Sequence, residues 1–217
     1  MSETDEKLVQ ALADLEEDQF HSLFEAALSS GEDALALLET CRKGMDIVGK
    51  RYQEKDYFLT DLIMAAEMFK TAVAQLEPQL SGYETQEPTG TIVFGTVKGD
   101  IHDIGKDIVI AMLRGAGFTV YDLGVDVDPQ AFVDKVRETG ASIVGLTGLI
   151  TMSYDGMKDT IAAFESAGLR TQVKIMVGGG MVNEKVLEYT GADAWGEDVT
   201  AAIALARKFS GNLMEAV

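Results

Sequence analysis

From Thr91 onward the chain repeats one pattern five times: a short run of β-branched residues, then a stretch with helical spacing. The runs are Thr91–Phe94, Phe118–Leu123, Ser142–Leu146, Val173–Val177 and Asp193–Trp195. The helical stretches are Lys106–Ala116, Pro129–Thr139, Tyr154–Ser166, Glu184–Tyr189 and Val199–Phe209. A helix between two strands carries the chain back across the sheet, so the next strand runs parallel to the last. The pattern therefore predicts a doubly wound, five-stranded parallel sheet. Ligands of such sheets sit beyond the carboxyl ends of the strands, so the loops after each strand are where chemistry belongs.

The first part of the chain follows a different rule. Ala34, Leu38, Cys41, Met45, Val48 and Tyr52 step by three or four residues, as do Leu62, Ala66, Phe69, Val73, Leu76 and Leu80. Each set makes one apolar stripe on a helix. Two shorter helical segments, Lys7–Asp14 and Asp18–Leu28, precede them, with Gly31 as a stop signal before the third helix. Four amphipathic helices with short connections predict a small up-down bundle. The polar stretch Glu84–Gly90 separates the two patterns. The expected domains are thus residues 1–86, a helical bundle, and residues 91–217, an α/β domain.

Charge narrows the partners. With 36 acids against 18 bases the net charge is −18, and both halves share it. Binding to nucleic acid or to an anionic membrane surface needs clustered Lys and Arg, so neither is expected. No apolar stretch reaches the length of about 20 residues that a membrane span needs. Met1–Lys7 is acidic and has no apolar run, so no signal peptide is expected. The only cysteine, Cys41, cannot close an intrachain disulfide, which points to a reducing, cytoplasmic setting.

The loop after the first strand reads Gly95-Thr-Val-Lys-Gly-Asp-Ile-His-Asp-Ile-Gly-Lys106. It holds His102, one of two histidines, with Asp100 and Asp103 beside it and Gly99 and Gly105 around it. A histidine can ligate a metal through one ring nitrogen while a carboxylate fixes the other. A solvated loop histidine fits the same residues. The spacing matches neither a dinucleotide fingerprint nor a phosphate-binding loop. A zinc site has little support, because the remaining His and the lone Cys are far away in the first half. The loop after the third strand has no carboxylate, which excludes phospho-receiver chemistry, but offers the hydroxyls of Thr147, Thr151 and Ser153. Either of the last two could instead cap the next helix. Gly178, Gly179 and Gly180 follow the fourth strand and remove side chains where a ligand could approach, or make a plain turn. Trp195 adds an aromatic ring at the fifth.

Taken together these loops resemble the cobalamin-binding domain of methionine synthase and of the small corrinoid proteins of methyltransferase systems. The signature Asp-x-His-x-x-Gly is matched by Asp100, His102 and Gly105, the second motif by Thr147-Gly-Leu149, and the Gly-Gly pair by Gly178-Gly179. The resemblance extends to the helical part, through Val48-Gly-Lys-Arg-Tyr-Gln-Glu-Lys-Asp-Tyr-Phe-Leu-Thr-Asp-Leu62 and Met64-Ala-Ala-Glu-Met68.

The resemblance implies a flavodoxin-like, Rossmann-type cobalamin domain behind a helical cap. It implies base-off cobalamin, with His102 as the lower axial cobalt ligand. The loop Gly99, Asp100, Ile101, His102, Asp103, Ile104 and Gly105 would bind the cofactor. Thr147 and the turn Gly178, Gly179 and Gly180 would line its buried tail, with Leu149, Thr151 and Trp195 also counted among the cofactor-binding residues. Ser153 would complete a hydrogen-bond chain with Asp100 and His102. Tyr52 and Leu59 of the cap would shelter the upper face, with Leu62 counted among the cofactor-binding residues. The implied function is a methyl carrier, with a substrate-specific methyltransferase, an acceptor methyltransferase and a reductive activator protein as partners. The acceptor would be a compound such as tetrahydrofolate or coenzyme M. A cobalamin-dependent sensor and a mutase-associated subunit use the same binding motif and are the alternatives.

Overall fold

A computed structural model describes residues 3–80, 89–180 and 182–211, with side-chain surroundings from residue 4 and not for 77–80. The chain forms two compact units. Of the expected separator Glu84–Gly90, residues 84–88 fall outside the described residues, as does the side chain of Leu80.

The first unit holds four helices: α1 (Glu3–Ala13), α2 (Glu17–Ser29), α3 (Ala34–Gln53) and α4 (Leu59–Leu80). Asp33 caps α3 by accepting a hydrogen bond from the Ala36 N–H at 3.0 Å. Gly31, at φ +82°, ends the turn after α2 in the left-handed region. Both apolar stripes are buried along most of their length: Leu38, Cys41, Val48, Leu62, Phe69 and Leu76 are all under one-tenth exposed. In a simple up-down bundle α1 would lie chiefly against α2; here it packs most extensively on α3. Gly44 explains the close approach, because a Cβ there would lie 2.8 Å from Leu12 Cδ2. Cys41 is buried on that stripe, and burial pushes its thiol up to about 12. In the folded protein it should not react with a thiol reagent at neutral pH, and should react at once in denaturant; rapid labelling of the native chain would contradict the packing of α3.

The second unit alternates β1 (Thr91–Thr96), α5 (Ile104–Gly115), β2 (Thr119–Asp122), α6 (Pro129–Thr139), β3 (Ile143–Thr147), α7 (Ser153–Ser166), β4 (Lys174–Gly178), α8 (Glu184–Thr190), β5 (Ala194–Gly196) and α9 (Val199–Phe209). All pairings are parallel and the strand order is β2-β1-β3-β4-β5. The expected doubly wound sheet is present, with each strand within two residues of its expected bounds. Local signals set the helix ends. Asp128 caps α6 ahead of Pro129, and Gly140 at φ +68° closes it. Asp198 caps α9 through the Ala201 N–H.

Because β1 is followed by β2 on one side and β3 on the other, the chain leaves β1 and β3 in opposite directions. That opens a crevice at their carboxyl ends, the switch point where ligands of such sheets bind. At the opposite edge, Asp193 accepts from the Ile175 N–H at 2.8 Å and pairs with Arg170 at 2.9 Å and Lys174 at 3.3 Å. Burial alone would raise its carboxyl, but these partners outweigh it and hold it below its ordinary 3.8. Its contribution to stability is present above that value and is lost as pH falls through its lower folded value. Asp193→Asn should therefore cost about 1 kcal/mol at neutral pH and little in acid. Urea unfolding on both sides of that range checks it; an equal loss at both would refute the pairing. No helix among the described residues is long and apolar enough to cross a membrane.

Candidate functional site

In register, Thr96, Thr147, Gly178 and Gly196 form the last row of the central sheet. The His102 loop leaves this row from β1 and reaches the turn after β3. Asp100 is the link. Its side chain is 0% exposed. Oδ1 accepts from the backbone N–H of His102 at 3.0 Å and faces His102 Nδ1 at 2.7 Å. Oδ2 accepts from the N–H groups of Leu149 at 2.6 Å and Ile150 at 3.3 Å. Burial by itself pushes this carboxyl up; the His102 backbone and ring and the Leu149 and Ile150 amides outweigh that and bring it down to about 2. An ionised carboxylate only accepts. The neutral imidazole then keeps its hydrogen on Nδ1 and leaves Nε2 with a free lone pair, on a ring that is half exposed.

His102 is braced a second time by Thr96, a fully buried residue whose hydroxyl donates to the His102 carbonyl at 2.9 Å. The far end of the loop is tied down by Lys106, 3% exposed, which pairs with Asp107 at 2.6 Å and Asp122 at 2.7 Å. Neither brace was legible beforehand: a threonine inside a strand and a lysine opening a helix carry no local signal.

The remaining expected residues divide. Ile101 and Ile104 stand out at the loop as large exposed apolar side chains, and Leu149, across the switch point, is also exposed. Val125, Ile150 and Met152 join them at the same strand ends and were not anticipated. Gly105 and the exposed Asp103 stand at the start of α5, where the Asp103 carbonyl accepts from the Asp107 N–H. Ser153 departs from expectation. It is buried, and its hydroxyl donates to the Ile150 carbonyl; the connection from Asp100 to this turn runs through the amides of Leu149 and Ile150 instead. Neither Ser153 nor the exposed Thr151 caps α7, which begins without a side-chain cap. Thr147 is half-buried at the end of β3.

The glycines after β4 also differ from expectation. Gly178 is open, with only the Gly196 carbonyl within reach of a Cβ, at 3.5 Å. Gly179, at φ +130°, is not: a Cβ there would sit 1.9 Å from the Gly148 carbonyl oxygen. At Gly180 a Cβ would lie 2.9 Å from Leu149. Trp195 packs partly buried against the core cluster on one face of the sheet, rather than at the ligand edge, because its register partner is Val177, one position short of the last row.

In the helical unit Tyr52 is half-buried and Leu59 is 56% exposed. Leu62 is only 1% exposed, so it belongs to the buried stripe and not to an exposed apolar face. That face is made instead by Phe58, Leu59, Ile63 and Met64. The helical period explains the change: Ile63 and Met64 lie four and five positions after Leu59, on its side of the helix, and Leu62 faces inward.

Residues 90–204 match a family model described as a B12 binding domain, and residues 4–77 match a second model of the same description. A corrinoid protein of Desulfitobacterium hafniense is 40% identical over 212 residues, 95% of this chain and 97% of that one. This chain belongs to the B12-binding corrinoid proteins. A dimethylamine corrinoid protein of Methanosarcina barkeri is 36% identical, over 94% of this chain and 97% of that one. The methanol:cobalamin methyltransferase complex MtaBC from Methanosarcina barkeri contains a chain of the same fold. It aligns with a TM-score of 0.82 at 27% identity, covering 97% of this chain and 80% of that one.

This corrinoid protein binds a corrinoid cofactor, and the donor set at the switch point suits one. Among the described residues no group of three or more His, Cys, Asp and Glu side chains is placed to hold a metal ion. A free divalent ion would find a single nitrogen there, whereas a metal already held by a macrocycle needs no more than one axial donor. The half-exposed His102 ring, on a loop that also exposes Ile101 and Ile104 and has open space at Gly99 and Gly105, fits that requirement.

Proposed function

We propose that this corrinoid protein is a methyl carrier, loaded by a substrate-specific methyltransferase and unloaded by a second that serves an acceptor such as tetrahydrofolate or coenzyme M. A reductive activator would return the carrier to its working state. The bound corrin supplies a cobalt centre able to accept and release a methyl group. The observation that carries the reading is the pairing of buried Asp100 with His102 at the switch point.

In this reading the cofactor's own base would be off, and His102 Nε2 would be the nitrogen that holds the metal from below. Asp100 holds the ring in one tautomer and one orientation, and keeps the hydrogen on Nδ1. Gly99, Ile101, Asp103, Ile104 and Gly105 shape the approach around that ring. Thr147, Leu149, Thr151 and Gly178 line the tail. Gly179 and Gly180 serve by letting two loops meet. The exposed apolar residues Phe58, Leu59, Ile63 and Met64 suit the exclusion of water from a reactive cofactor face. The relatives named for methylamines favour a small methylated compound as the donor, and the acidic surface favours partners with a basic docking face.

His102→Ala decides the axial assignment. The variant should still bind cobalamin, because tail burial does not use the imidazole, but the Co(II) spin resonance should lose its histidine nitrogen coupling. Wild-type protein grown with labelled histidine should show that coupling; coupling to the cofactor's own benzimidazole nitrogen would overturn the assignment. Carrier function is tested by following labelled methyl transfer from a methylamine, through a methylamine-specific methyltransferase, onto the loaded protein. Failure to become labelled with any of the three methylamines or methanol would count against the carrier role.

A further inference from the structure

The loop between β2 and α6, Leu123–Asp128, carries none of the residues assigned to the cofactor, yet it grips the turn that presents Asp100. The Gly124 carbonyl accepts from the Thr96 N–H and the Val127 N–H donates to the Thr96 carbonyl, both at 3.0 Å. Val97 and Val127 form an isolated parallel bridge. Beyond that bridge the contacts come from Asp126 alone. Its N–H donates to the Asp100 carbonyl at 2.9 Å. Its Oδ1 accepts from the Gly99 N–H at 2.9 Å, and its Oδ2 pairs with Lys98 Nζ at 3.1 Å.

The gripped segment is a tight turn. The Asp100 N–H donates to the Val97 carbonyl at 3.2 Å, and Gly99 sits at φ +86° in the third position, as a type II turn requires. Asp126 itself has φ +51°, a left-handed conformation that a residue with a side chain adopts at a cost. Strain of this kind persists where surrounding contacts hold it, and here they all lead to the Asp100 turn. The ion pair is exposed on both sides, and such pairs add little to global stability. What three contacts onto consecutive residues do accomplish is to fix where the Asp100 backbone lies, and with it the carboxylate that the His102 ring meets.

We infer that Asp126 is a positioning residue for the axial histidine: it clamps the Lys98–Asp100 turn so that Asp100 meets His102 Nδ1. The inference deepens the reading of His102 as the axial ligand and rests on it. An asparagine at 126 keeps an oxygen acceptor for the Gly99 N–H and tolerates the left-handed backbone. A glycine keeps the backbone and removes the acceptor, so D126G isolates the clamp from the strain.

In cofactor-free protein, D126G should speed hydrogen exchange at the His102 and Leu149 amides by about tenfold, the loss of one charge-assisted hydrogen bond, while melting stays near wild type. D126N should exchange like wild type. After loading with cobalamin and reduction to Co(II), D126G should show a smaller fraction of histidine-coupled spin signal, and D126N the full fraction. Unchanged amide exchange in D126G, or full histidine coupling after loading, overturns the proposal. So does a D126G that unfolds altogether, since Asp126 would then be a folding element. If loaded wild-type protein shows no histidine coupling, the axial assignment itself fails, and the exchange result in cofactor-free protein still decides whether the clamp exists.

Discussion

Asp100→Ala is expected to damage both the fold of the loop and the orientation of the His102 ring. Four donors converge on this one buried carboxylate: two from His102 and one each from Leu149 and Ile150. Removing it leaves the donors of two loops without an acceptor, in a place water reaches poorly. An unsatisfied buried donor costs on the order of 1–3 kcal/mol, so a total loss of about 3 kcal/mol is expected after partial relaxation. Asp100→Asn should not rescue it. One end of the amide becomes an NH2 group, which would meet either the His102 amide or the Leu149 amide donor to donor. The melting temperature of the cofactor-free variants, and the histidine coupling of the loaded ones, are the readouts. A variant that melts like wild type and keeps its histidine coupling would mean that Asp100 is neither the brace nor the orienting group.

Gly179→Ala should be nearly as severe, for a reason with no chemistry in it. The added Cβ would stand 1.9 Å from the Gly148 carbonyl oxygen, and at φ +130° the residue cannot rotate away. The obstacle is backbone, not the end of a flexible side chain, so the turn after β3 must move. That turn supplies the Leu149 and Ile150 amides to Asp100, and it is already tight: a Cβ on Gly148 would meet Ser153 Oγ at 2.3 Å. A loss on the order of 3 kcal/mol is expected, together with cobalamin affinity. Gly178→Ala is the control. It has room, with its nearest neighbour 3.5 Å from the new Cβ, and should melt like wild type. If Gly178 lines the tail, that variant should fold normally and bind cobalamin poorly. Equal stability of the Gly178 and Gly179 variants would refute the close approach of the two loops.

These two predictions use residues that sequence reading found, for reasons it did not find. Asp100 and His102 were legible through the family resemblance, because their spacing in one glycine-bounded loop fits a solvated histidine as well. The glycine run after β4 was legible as a place without side chains. That Gly179 is required by the Gly148 carbonyl depends on β3 and β4 being neighbours in register, which the glycines themselves do not specify. Ser153 illustrates the opposite error. The backbone amides of Leu149 and Ile150 occupy Asp100 Oδ2, and the Ser153 hydroxyl turns to the Ile150 carbonyl. Leu62 was counted among the cofactor-binding residues, while its own apolar period, shared with Ala66 and Phe69, buries it.

The sequence by itself determined the local parts: which segments are helix or strand, where caps and glycines end them, that all strands run parallel, and that the loop after β1 carries the histidine. Periodicity, capping and turn chemistry act over a few residues, so they can be read from a few residues. The tertiary structure alone decided what meets what. The strand order puts Leu149 and Ile150 on a carboxylate some fifty positions earlier in the chain, and puts Asp126 on Gly99 across twenty-seven. Thr96, Lys106 and Asp126 have unremarkable neighbours in sequence. They gain their roles only because the chain leaves β1 and β3 in opposite directions, and the crevice this opens must be braced by whatever the adjoining loops bring to it.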